Sequence, residues 1–286
     1  MLWTTVLLLI AAAVLHATSH ALIKNARDKL AFTWWMLGVS SVAGIPLLFS
    51  LHGVPAVAWL LVIASALAEA GYFLTLTRGY SQGDLSQVYP IARGSAPLFT
   101  LLWATALLGE RPSSGGLAGI ALVVVGLYVV GLPSLGEWKK PLAALKQGAA
   151  RWALATGVLI SAYTTVDKVG VRYFAPVVYL YLVLSIAWIA LAPQWLCAGR
   201  RAALVAEVRA RPVRAAACSL LGFGAYTLVL MAMRSSPVSY VGSVREISVV
   251  IGAWIGIRVL GEKGGSHRVS GAALVATGIL AIAVLG

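Results

Sequence analysis

Two arginines sit where a charge is hard to place. Arg93 and Arg245 each lie eight residues inside a long apolar stretch. A charge at a bilayer centre costs about 2.5–3.5 kcal/mol on insertion scales, so such a residue faces a cavity or a partner. Two guanidiniums converging near the midplane could hold a carboxylate or phosphate bidentately. Each could instead pair with an acid, Glu246 or Glu69, and tie helices together. Glu69 is itself mid-span. Desolvated without a partner it could carry a proton; beside an arginine it would be structural. His16 and His20, four apart on one helix face, could serve a proton relay or an interhelical hydrogen bond. Their spacing also matches one face of a zinc site, but no HExxH string or third ligand accompanies it, so no metal is expected. Tyr72, Tyr89, Tyr163, Tyr226 and Tyr240 offer amphipathic rings to line a cavity, with Glu246 beside the second arginine. Pro90 and Pro97 bracket Arg93, with Gly94 between them. A proline removes a backbone donor and clashes with the preceding turn, which predicts a kinked or locally unwound helix and a gating role there.

The elements that position these groups follow from composition. Of 286 residues, 60% are apolar and 11% charged, against about a quarter charged in soluble domains. Mean hydropathy is +0.90. A soluble fold could not cover its surface with so few charges. A bilayer core needs about 20 apolar residues per helix, which divides the chain into ten segments: 2–23, 31–51, 56–79, 85–108, 115–133, 151–171, 175–197, 212–233, 237–260 and 267–286. The long continuous runs exclude an outer-membrane barrel. The first run lacks a basic leader and a cleavage site, so it reads as a span. Cys197 and Cys218 are too few for a disulfide framework and read as packing residues.

The net charge of +13 is mostly topology. Setting aside Arg93 and Arg245, sixteen of the twenty remaining basic residues fall in the odd-numbered loops or beside them. Arg111, Lys168, Arg172 and Arg234 fall on the other side. The positive-inside rule then places both termini outside the cytoplasm. The stretch Arg200 to Arg214 suits anionic lipid headgroups rather than nucleic acid, and Trp34 and Trp35 read as interfacial anchors.

Self-comparison exposes a repeat. At an offset of 152 residues Arg93 falls on Arg245, Gly109-Glu110 on Gly261-Glu262, Gly119 on Gly271 and Gly126 on Gly278, while Gly242 takes the place of Pro90 as the kink and gating candidate of the second half. Glu110 and Glu262, at span ends, are expected to cap or pair at turns. Five spans per half is an odd number, so the second half must enter the membrane upside down. The predicted fold class is an all-α polytopic membrane protein whose ten transmembrane helices form two five-helix inverted-topology repeats, with a substrate site near the midplane. The expected units are a first repeat at 1–133, a connecting cytoplasmic loop at 134–150 and a second repeat at 151–286.

On this size, this five-plus-five plan and the repeated Arg…Gly-Glu…Gly…Gly string, the chain resembles ten-helix members of the drug/metabolite transporter superfamily built of two EamA-type repeats. His16-Ala17…Lys24 and Tyr89-Pro90-Ile91-Ala92-Arg93-Gly94 resemble one EamA subgroup, although Thr18-Ser19-His20 stands where that subgroup usually has Leu-Trp-Asn. The resemblance implies secondary transport of a small-molecule substrate by alternating access in the cell inner membrane. An anionic or zwitterionic metabolite is expected, with proton coupling or solute exchange. Transport of an anionic lipid or polyprenyl-phosphate head group is the alternative. The chain carries no GxxxxGK[ST] loop and no paired catalytic aspartates, so neither a cofactor nor an enzymatic activity is expected. Besides the lipid bilayer, a second copy in a homodimer is the one partner the sequence leaves room for.

Overall fold

Side-chain caps fix the starts of two helices of the first half. The structure, a computed structural model, describes residues 1, 3–24, 26–82, 85–132, 134–139, 143, 148–196, 200–258 and 266–286. Gly261, Glu262 and Cys197, and the side chains of His20, Tyr89 and Pro90, lie outside the described residues. The first half holds α1 (Trp3–Lys24), α2 (Lys29–Ala43), α3 (Ala56–Gln82), α4 (Leu85–Leu108) and α5 (Ser114–Val130). The second holds α6 (Gly148–Gly170), α7 (Pro176–Leu191), a short α8 (Arg201–Ala210), α9 (Pro212–Ser235), α10 (Val238–Val244), α11 (Ile247–Arg258) and α12 (Ser266–Leu285). Among the described residues there is no strand.

Asp28 caps α2 by accepting the N–H groups of Leu30 and Ala31, both at 3.0 Å. Ser113 caps α5 through Gly116 N–H at 2.9 Å. Such side-chain acceptors satisfy the free donors of a helix start. The second span is shorter than its apolar run of 31–51. Its α-helix stops at Ala43 and continues as 3-10 turns over Ile45–Ser50, where Pro46 has no N–H to extend an α-ladder.

Among the described residues, five helices are long and apolar enough to cross a membrane unaided, and three shorter apolar ones join them: Trp3–Ser19, Leu30–Ala43 and Ser114–Val130. The two spans that remain are α6 and the pair α10–α11. They carry Tyr163 and Asp167, and Arg245 and Glu246. Large apolar side chains such as Leu7, Leu60, Leu107 and Leu220 are 65%, 65%, 70% and 74% exposed, as a surface solvated by lipid requires. Met1 donates its amino group to Ala283 O at 3.2 Å, so the first helix starts where the last one ends. That agrees with an even number of spans.

The halves are related by an inverted two-fold, visible in their glycines. A Cβ on Gly119 would lie 2.7 Å from the Gly278 carbonyl, and one on Gly126 would lie 2.7 Å from that of Gly271. α5 and α12 therefore run antiparallel, backbone against backbone. The 152-residue offset carries one of these contacts into the other. The remaining packing obeys the same exchange: α3 lies along α6 as α1 lies along α9, and α4 against α6 as α11 against α1. The protein is an all-helical polytopic membrane protein of two inverted five-span halves.

Of the kink or local unwinding expected in the fourth span beside Pro90 and Pro97, no unwinding occurs: α4 is helical throughout. A proline forfeits one bond of the ladder, and the flanking turns hold here. The ninth span, expected as one helix over 237–260, is the broken one. It parts into α10 and α11 at Arg245-Glu246, where Glu246 N–H reaches Ser243 O and Ser248 N–H reaches Arg245 O, both at 3.2 Å. These three-residue spacings mark a tightened turn. Side chains one residue apart do not face each other on a regular helix, whereas here both turn into one polar site.

Candidate functional site

Seven spans contribute to a buried polar cluster where the halves meet. Arg93 of α4 donates through Nη1 to Glu246 Oε1 at 3.2 Å. Its Nη2 lies 2.9 Å from His16 Nε2 of α1. A guanidinium only donates, so His16 accepts there and its own hydrogen sits on Nδ1. Arg245 reaches the same Glu246 oxygen from Nε at 3.4 Å. Two arginines from opposite halves thus share one carboxylate oxygen. Both are buried, and Glu246 is 0% exposed.

An aromatic ladder leads away from this ion cluster. The Arg245 guanidinium lies 6.0 Å from the Tyr163 ring centre. Tyr163 meets Tyr72 at 6.1 Å and Tyr226 at 6.0 Å, both edge to face, an arrangement the ring quadrupoles favour. The Tyr226 hydroxyl donates to Asp167 Oδ2 at 2.5 Å. Ser65 and Tyr179 donate to Asp167 Oδ1 at 2.5 and 2.9 Å. Asp167 is 1% exposed. Three hydroxyl donors converging on one carboxylate replace the water it gave up.

Among the described residues, two carboxylates of this region are not fully satisfied. Glu246 Oε2 and Glu69 Oε2 are buried oxygens without a hydrogen-bond partner. Buried polar atoms are nearly always paired, so these orphans mark a place where a ligand or water supplies the missing bonds. Beside Arg93, a Cβ added to Gly94 would meet nothing within 4 Å. Gly94 therefore borders open space.

The profile of the EamA-like transporter family matches residues 3–132 and again 148–284. The chain belongs to the EamA-like transporter family. It is accordingly a transporter of the drug/metabolite type, a class that is generally not enzymatic. No curated protein matches the sequence. Among solved structures, one described only as the crystal structure of a protein superposes with a TM-score of 0.73 at 16% identity, covering 100% of this chain and 98% of that one. That likeness speaks to the fold alone.

This EamA-like transporter brings together Arg93, Arg245, Glu246 and His16, and beside them Tyr72, Tyr163 and Tyr226. Tyr240 does not join them. Its hydroxyl accepts the Ser113 N–H at 3.0 Å and its ring lies over Gly116, at the start of α5. Gly242 packs on Thr100 of α4, and Pro97 is buried. His20, Tyr89 and Pro90 fall on side chains outside the described residues. Glu110 does cap a helix: its carboxylate accepts Val238 N–H at 2.6 Å, Ser239 N–H at 3.1 Å and the Ser239 hydroxyl at 2.6 Å, holding the start of α10.

Asp167 is the residue that sequence reasoning passed over. Standing next to Lys168, it looks like part of a span end. In fact the two diverge. Lys168 turns to the carbonyls of Met233 and Ser236, at the C-terminus of α9, while Asp167 turns into the bundle. The signal was available, since Asp167 lies one helical turn after Tyr163 and four residues inside its apolar run.

Proposed function

We propose that this protein is a secondary transporter that moves a small anionic or zwitterionic organic metabolite by alternating access of its two inverted halves. The observation that carries this reading is the sharing of Glu246 Oε1 by Arg93 and Arg245 at the break between α10 and α11. Each guanidinium is a planar fork of five donors that fits a carboxylate or phosphate bidentately, and two such forks converge on this one oxygen. A substrate carboxylate or phosphate reaching the meeting point of the halves is held by these forks. Because each arginine belongs to a different half, the substrate is held by both, and its binding is coupled to how the halves meet.

Charge balance narrows the substrate and the coupling. The site and its margin hold two arginines against three carboxyls, Glu246, Asp167 and Glu69. A bare anion added to that set is repelled unless it brings a positive group of its own or a proton arrives with it. A zwitterion does the first. Glu69, half-buried with an unpaired Oε2, does the second. His16 spends Nε2 on Arg93, which favours Glu69 over it as the proton carrier; the side chain of His20, the third candidate, lies outside the described residues.

Proteoliposomes loaded with a panel of amino acids, carboxylates and phosphonates test this by counterflow under an imposed pH gradient. Wild type accumulates at least one anionic or zwitterionic member. Glu69→Gln abolishes accumulation driven by the gradient and leaves solute exchange in place. Accumulation by Glu69→Gln equal to wild type removes Glu69 from the coupling.

A further inference from the structure

The arginine-rich end of the bundle holds an apolar cavity that the transport site does not use. It encloses about 480 Å³ between α2, the end of α7 and α8, and Trp34, Trp188, Trp195, Arg201, Leu204 and Val205 line it. α8 is fixed over this space from its inner side. Glu207 is buried, and its carboxylate accepts Arg27 N–H at 3.3 Å and Asp28 N–H at 3.2 Å. Trp35 Nε1 donates to Leu204 O at 2.9 Å. Arg201, Leu204 and Val205, spaced i, i+3 and i+4, form one helix face, which is turned to the cavity.

What fills such a space is constrained on two counts. Its floor is indole: Trp34 meets Trp188 at 5.1 Å and Trp195 at 6.4 Å. Water needs two to four polar partners to stay in a cavity, and this lining gives it almost none. At the rim Ile189 is 64% and Val205 39% exposed, so the opening faces the hydrocarbon that solvates the bundle. The remaining lining group is a cation. Arg201 is exposed at the rim next to Arg200 and pairs with no acid among the described residues. The acids nearby, Asp28 and Glu207, are turned inward and occupied by backbone N–H groups.

We infer that this cavity binds an anionic phospholipid, with an acyl chain against Trp34, Trp188 and Trp195 and the phosphate on Arg201. Basic pockets between helices select anionic headgroups at about 1 kcal/mol per arginine near the surface, or roughly fivefold in affinity.

Thermal-shift titration of the detergent-solubilised protein with dioctanoyl phosphatidylglycerol tests this, against dioctanoyl phosphatidylcholine and glycerol phosphate. Wild type is expected to saturate with the anionic lipid about fivefold or more tighter than with the zwitterionic one, and to ignore glycerol phosphate. Arg201→Ala brings the two lipids level. Ala192→Trp and, independently, Val205→Trp fill the cavity and remove the saturable shift with both lipids. An anionic preference that survives Arg201→Ala overturns the inference, and so does saturation that survives both cavity-filling variants. A response to glycerol phosphate equal to that of the lipid also overturns it, in favour of a soluble anion.

Discussion

Glu246 is the residue on which the site depends. It carries the single negative oxygen between two buried arginines, and breaking a buried ion pair from one side costs about 3–5 kcal/mol. Glu246→Gln is therefore expected to lower stability in detergent by an amount in that range, and an added anion that occupies the two forks should recover part of it. Unfolding followed by tryptophan fluorescence measures both. A variant as stable as wild type would mean that Arg93 and Arg245 do not rely on this carboxylate. Arg93 and Arg245 could be singled out from sequence because burial makes an isolated charge conspicuous. Asp167 could not be recognised so easily, because Lys168 beside it made the pair resemble an ordinary helix end. Only the fold shows that the two side chains take opposite directions.

At the level of helices, two kinds of glycine are distinguished by what surrounds them. Gly119 allows α5 and α12 to touch backbone to backbone, the role small residues play where lipid supplies no hydrophobic drive. Gly94 faces open space beside Arg93. Gly119→Leu is expected to overpack the crossing and cost about 1–3 kcal/mol. Gly94→Leu should leave the unfolding transition near that of wild type, because the added side chain meets no described atom. Parallel melting measurements separate them, and a Gly94→Leu as destabilised as Gly119→Leu would contradict the open surroundings of Gly94. Periodic glycines at matching offsets made the α5–α12 crossing readable in advance. The break in the ninth span follows Gly242, the kink candidate there, but its place at Arg245-Glu246 was not readable, because neither proline nor glycine stands at that pair. What accompanies it is the meeting of two charged side chains in one site, which is a tertiary demand.

Over the whole molecule, ten spans and their repeat were legible because hydropathy and a fixed 152-residue offset survive in the sequence. The mutual arrangement of the halves then follows from the inverted two-fold. Sidedness rests on the unequal distribution of lysine and arginine between loops. In a cysteine-free background, Arg172→Cys should react with a membrane-impermeant maleimide added to intact cells, and Arg209→Cys should react only after lysis. The reverse labelling would turn the protein over in the membrane without altering the site.

The central claim is that two arginines contributed by opposite halves hold the substrate's anionic group. Once the counterflow panel has supplied a substrate, its uptake into proteoliposomes by Arg93→Ala and Arg245→Ala, each shown by melting to be folded, tests that most directly. Losing a charged, hydrogen-bonded partner costs about 2–5 kcal/mol, so each variant should lose transport by about 30-fold or more while wild type remains saturable. Full uptake by both variants would contradict the account and leave the arginines as struts that tie the two halves together through Glu246.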